Sequence, residues 1–126
     1  MLETPLENLI LACIEQRLAD MPPIAWKQGA AATVVAASGG YPGEYVKGKV
    51  INGLVAADTA GATVFHAGTK LNADQEIVTD GGRVLNVTGL GADFQEALDQ
   101  AYAGIKEIEF DQMYYRRDIG YRVCNR

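Results

Sequence analysis

The side chains best suited to hold a small anion lie near the C-terminal end. Arg116 and Arg117 are adjacent and precede an Asp-Ile-Gly bend. A guanidinium can grip a phosphate through two parallel hydrogen bonds. The competing reading is ion pairing, with Asp118 or across a domain interface, because exposed pairs are common and worth only about 0 to 1 kcal/mol. Lys47 and Lys49 flank Gly48 at the end of a proline-glycine loop, where a cation can face an anionic substrate. Otherwise that loop is a structural corner, its glycines chosen for backbone angles and its lysines solvated. His66, the only histidine, has no cysteine near it in sequence, so it reads as a hydrogen-bonded structural residue rather than a metal ligand or general base. Gly81, Gly82, Gly89 and Gly91 invite a phosphate-loop reading. Asp93 opposes it, because its carboxylate would occupy the helix N-terminus that an anion needs, and the glycines read as turn residues.

These groups are positioned by a strand, turn and helix spanning residues 81–108. Val84, Leu85, Val87 and Thr88 are β-formers framed by glycine, and Asp80-Gly81-Gly82 signals a hairpin turn with positive φ. The expectation is that residues 76–79 pair antiparallel with residues 83–88. Asp93 can cap the helix that follows, with Glu96 three residues later reaching back. Phe94, Ala97, Leu98, Ala101, Ile105 and Ile108 recur at spacings of three and four, giving one apolar face that must lie on a sheet.

Composition bounds the rest. A chain of 126 residues is one domain by its length, and 48% hydrophobic content suffices for a core. No window reaches the roughly 18 to 20 apolar residues of a membrane span, and Glu3 and Glu7 stand where a secretory signal would be basic. The location expected is cytoplasmic, with Cys13 and Cys124 as reduced thiols. The net charge of -5 argues against nucleic-acid binding, which needs a basic footprint. From residue 113 to the end there are four arginines and one acid, a local +3, so the rest of the chain carries -8. An acidic body with one arginine-rich end fits a small anionic ligand or an acidic partner surface.

Taken in order, Thr4-Pro5-Leu6-Glu7 reads as a capping box with proline at the first helical position. The helix it opens is apolar over most of its circumference, through Leu9, Ile10, Leu11, Cys13, Ile14 and Leu18. Either part of its packing partner is missing or a tight two-layer fold covers it, and exposed apolar surface makes self-association plausible. Pro22-Pro23 ends this region. Residues 31–37 form a strand of small apolar side chains, and residues 38–49 a loop in which Tyr41 and Tyr45 read as anchors packed on the sheet. Val50 and Ile51 reopen an extended segment, Asn52-Gly53 turns, and residues 63–68 alternate as a strand. Trp26 reads as a packing residue. The whole is a helix-sheet-helix unit without repeat or linker.

Four blocks together carry a family resemblance: Gly40-Tyr41-Pro42-Gly43-Glu44-Tyr45-Val46-Lys47-Gly48, Val64-Phe65-His66-Ala67-Gly68-Thr69, Gly81-Gly82-Arg83-Val84-Leu85-Asn86-Val87-Thr88-Gly89 and Tyr115-Arg116-Arg117-Asp118-Ile119-Gly120-Tyr121-Arg122. In order and spacing they resemble the C-terminal domain of phosphoribosylamine-glycine ligase, also called glycinamide ribonucleotide synthetase. The resemblance implies an α+β domain, a small antiparallel barrel-like sheet with flanking helices of the rudiment single hybrid motif, that closes one side of an ATP-grasp active site. It implies an enzyme of de novo purine synthesis joining glycine to 5-phosphoribosylamine with ATP and magnesium through a glycyl phosphate. The N-terminal and ATP-grasp domains are absent here, with their metal-binding carboxylates. The isolated piece is therefore expected to be inactive alone and to bind neither ATP nor magnesium by itself. By the same resemblance Arg116 and Arg117, with Lys47 and Lys49, are candidate contacts to phosphoribosylamine or glycinamide ribonucleotide. The alternatives are a stand-alone binding or carrier module of the hybrid-motif class, with Lys47-Gly48-Lys49 as the only loop able to present a modified lysine, and an interaction domain whose arginines bind protein.

Overall fold

Small side chains let two long strands and a helix approach closely, and this sets the architecture. In the computed structural model, which describes residues 1–124, β1 (Ala30–Ser38) pairs antiparallel with β5 (Arg83–Gly91), from Ala30 opposite Gly91 to Ala36 opposite Leu85. β2 (Thr63–His66) lies on the far side of β5, and β6 (Met113–Tyr114) on the far side of β1, giving a four-stranded sheet in the order β2-β5-β1-β6. β3 (Thr69–Leu71) and β4 (Ile77–Thr79) form a separate two-stranded sheet. The domain is α+β with antiparallel sheets and flanking helices, as expected.

One sheet face is covered by α3 (Phe94–Lys106), whose Ala97, Leu98, Ala101, Gly104 and Ile105 are buried. The core joins Ala101 and Ile105 to Val34, Ala36, Leu85 and Val87 of the two long strands. Gly89 makes the close approach possible, since a Cβ there would run into the Ala97 carbonyl and the Ala101 amide of α3. The cap is as expected at Asp93, which accepts the Glu96 N–H at 2.9 Å, while Glu96 accepts the Ala92 N–H at 2.6 Å.

Several expectations need correction. Residues 80–82 do not close a hairpin: β5 already has both hydrogen-bonding edges filled by β1 and β2, so β4 pairs with β3. The Asp80 N–H instead donates to the Gly68 carbonyl at 2.7 Å, and the chain crosses from one sheet to the other. Thr4 does not cap α1 (Leu6–Ile14), which begins after Pro5 with no side-chain cap. Its hydroxyl accepts the Ala25 N–H at 2.8 Å, tying residues 1–4 to residues 25–27, where Leu2 bridges Trp26. Trp26 is 58% exposed and is not a core residue.

Short elements were not foreseen. α2 (Leu54–Thr59) starts from Gly53 at φ 83°, and a four-residue helix, α4 (Tyr121–Cys124), follows Gly120 at φ 80°. β3 and β6 are also too short to show a period. α1 buries only Ala12 and leaves Ile14 72% exposed, so the fold leaves its apolar surface largely uncovered. Both cysteines are free and exposed, and no helix among the described residues is long and apolar enough to cross a membrane.

Candidate functional site

The arginine-rich segment is carried across the end of the sheet by β6, which pairs Tyr114 with Ala37 and Met113 with Ser38 at the end of β1. Tyr102 of α3 then fastens it. The Tyr102 hydroxyl donates to the Arg116 carbonyl at 2.9 Å and accepts the Ile119 N–H at 3.1 Å. Gly120 turns the chain against the Leu98 side chain, where a Cβ would collide.

Arg116 is held by Asp118 in a two-point grip, Nε to Oδ1 at 2.9 Å and Nη2 to Oδ2 at 2.7 Å. That bonding holds the Asp118 carboxyl below the usual carboxylate range and pushes the Arg116 guanidinium up. Two of five guanidinium N–H groups are used, and three remain for a ligand. Arg117 points elsewhere, with its guanidinium carbon 5.9 Å from the centre of the Tyr115 ring and no carboxylate partner among the described residues. It lines a pocket of about 360 Å³ with Tyr102, Lys106 and Tyr115. Arg116 lines a different one, of about 230 Å³, with Arg83, Tyr41, Tyr114, Val35 and Ala37 among its walls. The neighbouring arginines thus face separate hollows. Arg126, counted in the basic end, lies outside the described residues.

The lysine loop is a corner. The Gly48 N–H donates to the Thr79 carbonyl at 2.7 Å, the Lys49 N–H to Thr79 Oγ1 at 3.1 Å, and the Thr79 N–H returns to the Lys49 carbonyl at 2.9 Å. Lys49 pairs with Asp111, and Lys47 lies 3.5 Å from Asp80, which Lys70 approaches at 3.2 Å. The bond from Lys70, with Lys47 beside it, holds the Asp80 carboxyl low. Neither Lys47 nor Lys49 lines the pockets of Arg116 and Arg117. Nor do these lysines sit at the tip of a β-hairpin, where a carrier presents its modified group.

The remaining candidates are structural. His66 Nδ1 lies 3.0 Å from Thr69 Oγ1. Gly89 and Gly91 face the backbone of α3, so they serve helix packing rather than a phosphate loop. Tyr41 packs on Gly82, where an added Cβ would lie 2.7 Å from Tyr41 Cε2. No group of three or more His, Cys, Asp or Glu among the described residues could hold a metal ion, and Asp93 already fills the α3 N-terminus. The described residues thus offer no cluster of carboxylates for a resident metal ion.

Sequence reading missed Arg83, Tyr102 and Lys106. Tyr102 carried a faint signal, lying beside Ala101 at the border of the apolar stripe of α3. Arg83 carried none.

Comparison with known proteins follows the same outline. The family model described as phosphoribosylglycinamide synthetase, C domain, matches residues 31–122. A phosphoribosylamine--glycine ligase of Nostoc sp. is 72% identical over 123 residues, 98% of this chain and 29% of the relative. One from Escherichia coli K12 is 46% identical over 125 residues, 99% of this chain and again 29% of the relative. The chain thus spans less than a third of their length. A crystal structure of phosphoribosylamine--glycine ligase from Thermotoga maritima superimposes with a TM-score of 0.69 at 32% identity, covering 86% of this chain and 27% of that one.

Proposed function

We propose a function from one premise: the chain belongs to the phosphoribosylglycinamide synthetase C-domain family. It acts as the C-terminal domain of a phosphoribosylamine-glycine ligase, an ATP-dependent carbon-nitrogen ligase of purine synthesis, working in the cytoplasm. Its partners are the ATP-grasp and N-terminal domains of that enzyme, which bring the ATP and magnesium. When bound there, ATP activates the glycine carboxylate. The role of this chain is to help bind and orient the ribosyl phosphate of the amine substrate or the glycinamide ribonucleotide product.

The observation that carries this reading is Arg116, pre-oriented by Asp118 and Tyr102 with three N–H groups still free. Arg117, which lies by the Tyr115 ring and has no carboxylate partner among the described residues, is the second cation of the arginine pair. Lys47 and Lys49 belong to the same proposal as contacts reached when Asp80 and Asp111 release them in the assembled enzyme. The names of the relatives favour the ligase reading over a carrier or a stand-alone interaction module.

Titrating ribose 5-phosphate and glycinamide ribonucleotide into the chain, followed by amide NMR shifts, tests it. Saturable shifts at residues 115–118 are expected, with smaller ones at residues 47–49. If nothing moves at millimolar ligand, and adding the ATP-grasp portion in trans restores neither binding nor ligase activity, the reading fails.

A further inference from the structure

The register of β1 and β5 contains one irregularity, and it decides where Arg83 goes. Ala36 pairs with Leu85, but the next residue, Ala37, pairs with Arg83, so Val84 is an extra residue on β5. In an unbroken strand Arg83 would share a face with Leu85, which is fully buried in the core beneath α3. The bulge reverses this. Arg83 emerges on the opposite face with Ala37, where both line the 230 Å³ pocket of Arg116.

The backbone at Arg83 is fixed from both sides. The Ser38 N–H donates to the Gly82 carbonyl at 2.8 Å and its hydroxyl to the Gly81 carbonyl at 2.9 Å, while the Gly68 N–H donates to the Arg83 carbonyl at 3.0 Å. Tyr41 lies against Gly82 and forms a wall. The Arg83 guanidinium has neither a hydrogen bond nor an ion pair among the described residues, whereas Lys47, Lys49, Lys70 and Arg116 each have a carboxylate. Asp118 already answers one side of Arg116, so Arg83 is the guanidinium of this pocket left without a carboxylate among the described residues.

We propose that Arg83 and Arg116 together form an anion site for a phosphomonoester, with Val35 and Ala37 as its floor. The two forks supply donors from two directions to the three phosphate oxygens. Tyr41, Tyr114 and Ile119 make the walls largely apolar, a surface for the face of a sugar ring, and leave the two arginines to meet the charge. Its volume lies below the roughly 300 to 1,000 Å³ of pockets for drug-sized ligands, which suits a pentose phosphate. That the phosphate is the ribosyl phosphate of the ligase substrate rests on the function proposed above.

The test titrates ribose 5-phosphate, and separately inorganic phosphate, into the chain and into Arg83→Ala, Arg83→Lys, Arg116→Ala and Lys27→Ala, with thermal unfolding to check that each folds. Arg83→Ala and Arg116→Ala should each weaken binding about tenfold or more, the loss of a charge-assisted contact. Arg83→Lys should recover part of this, and Lys27→Ala should bind unchanged. Equal binding by Arg83→Ala and the unaltered chain overturns the proposal, as does a lack of saturable shifts at Gly82, Arg83 and Ala37. A second arm joins this chain to the ATP-grasp portion of the Nostoc relative and measures the KM for phosphoribosylamine. If Arg116→Ala raises KM and Arg83→Ala does not, Arg83 falls and the ligase role stands. If Arg83→Ala weakens phosphate binding but leaves KM unchanged, the site stands and the ligase role falls.

Discussion

Replacing Tyr102 by phenylalanine removes one oxygen from the domain and two hydrogen bonds from the arginine segment. The hydroxyl bonds the Arg116 carbonyl at 2.9 Å and the Ile119 N–H at 3.1 Å, and it is the hydrogen-bonded link between α3 and residues 116–119. A hydrogen bond contributes about 0.5 to 1.5 kcal/mol net. Both orphaned groups lie near the surface and regain water, which puts the total near the lower end, about 1 kcal/mol. For 126 residues, an unfolding entropy of about 2.1 cal/mol/K per residue makes this a fall in Tm of roughly 4 °C. The local effect should be larger than the global one. The Ile119 amide should exchange faster, and phosphate binding at Arg116 should weaken a few-fold as its backbone loosens. Tyr115→Phe is the control, since the Tyr115 hydroxyl makes neither bond. The assay pairs thermal unfolding with amide exchange. A Tm within about 1 °C of the unaltered chain, together with unchanged exchange at Ile119, would refute the claim that this hydroxyl fastens the site.

Other outcomes follow from the same geometry. Gly89→Ala should destabilise by about 3 kcal/mol in denaturant unfolding, because the new methyl meets the α3 backbone, which cannot rotate aside; a loss below about 1 kcal/mol would mean that the helix is not seated so closely. The Asp118 carboxyl, held low by Arg116, contributes stability that is present above the ordinary carboxylate pKa and lost as pH falls through its own lower value. Its carboxyl NMR titration should therefore have a midpoint below that of a free aspartate and move up in Arg116→Ala. Ile10→Lys with Ile14→Lys alters a face that the fold leaves exposed, so stability should change by less than about 0.5 kcal/mol per site. Sedimentation should show any self-association of the chain fall, and a large loss of stability would mean that α1 is packed after all.

What the sequence determined was whatever depends on local chemistry and short periods. The spacing of Ala97, Leu98, Ala101, Ile105 and Ile108 was enough to define the buried face, and Asp93 with Glu96 the start of α3, because a helix repeats every 3.6 residues and its cap is a neighbour, although Phe94 of the same series lies in the first turn beyond the sheet and is 52% exposed. The strand of small residues at β1 and the four motif blocks were equally legible. The Asp80-Gly81-Gly82 turn was not, since the choice of partner for β4 depended on β5 having both edges occupied by distant strands. Thr4 looked like a cap and became a tie to Ala25 for the same reason: a hydroxyl bonds whichever donor the fold brings to it. The site divided along the same line. Arg116 and Arg117 announced themselves by type and adjacency, but their separation into two pockets came from the tether to Tyr102 and the fork to Asp118. Arg83 reached the Arg116 pocket only through one extra residue in a strand, and a shift of one residue reverses the face of a side chain without any trace in composition or spacing.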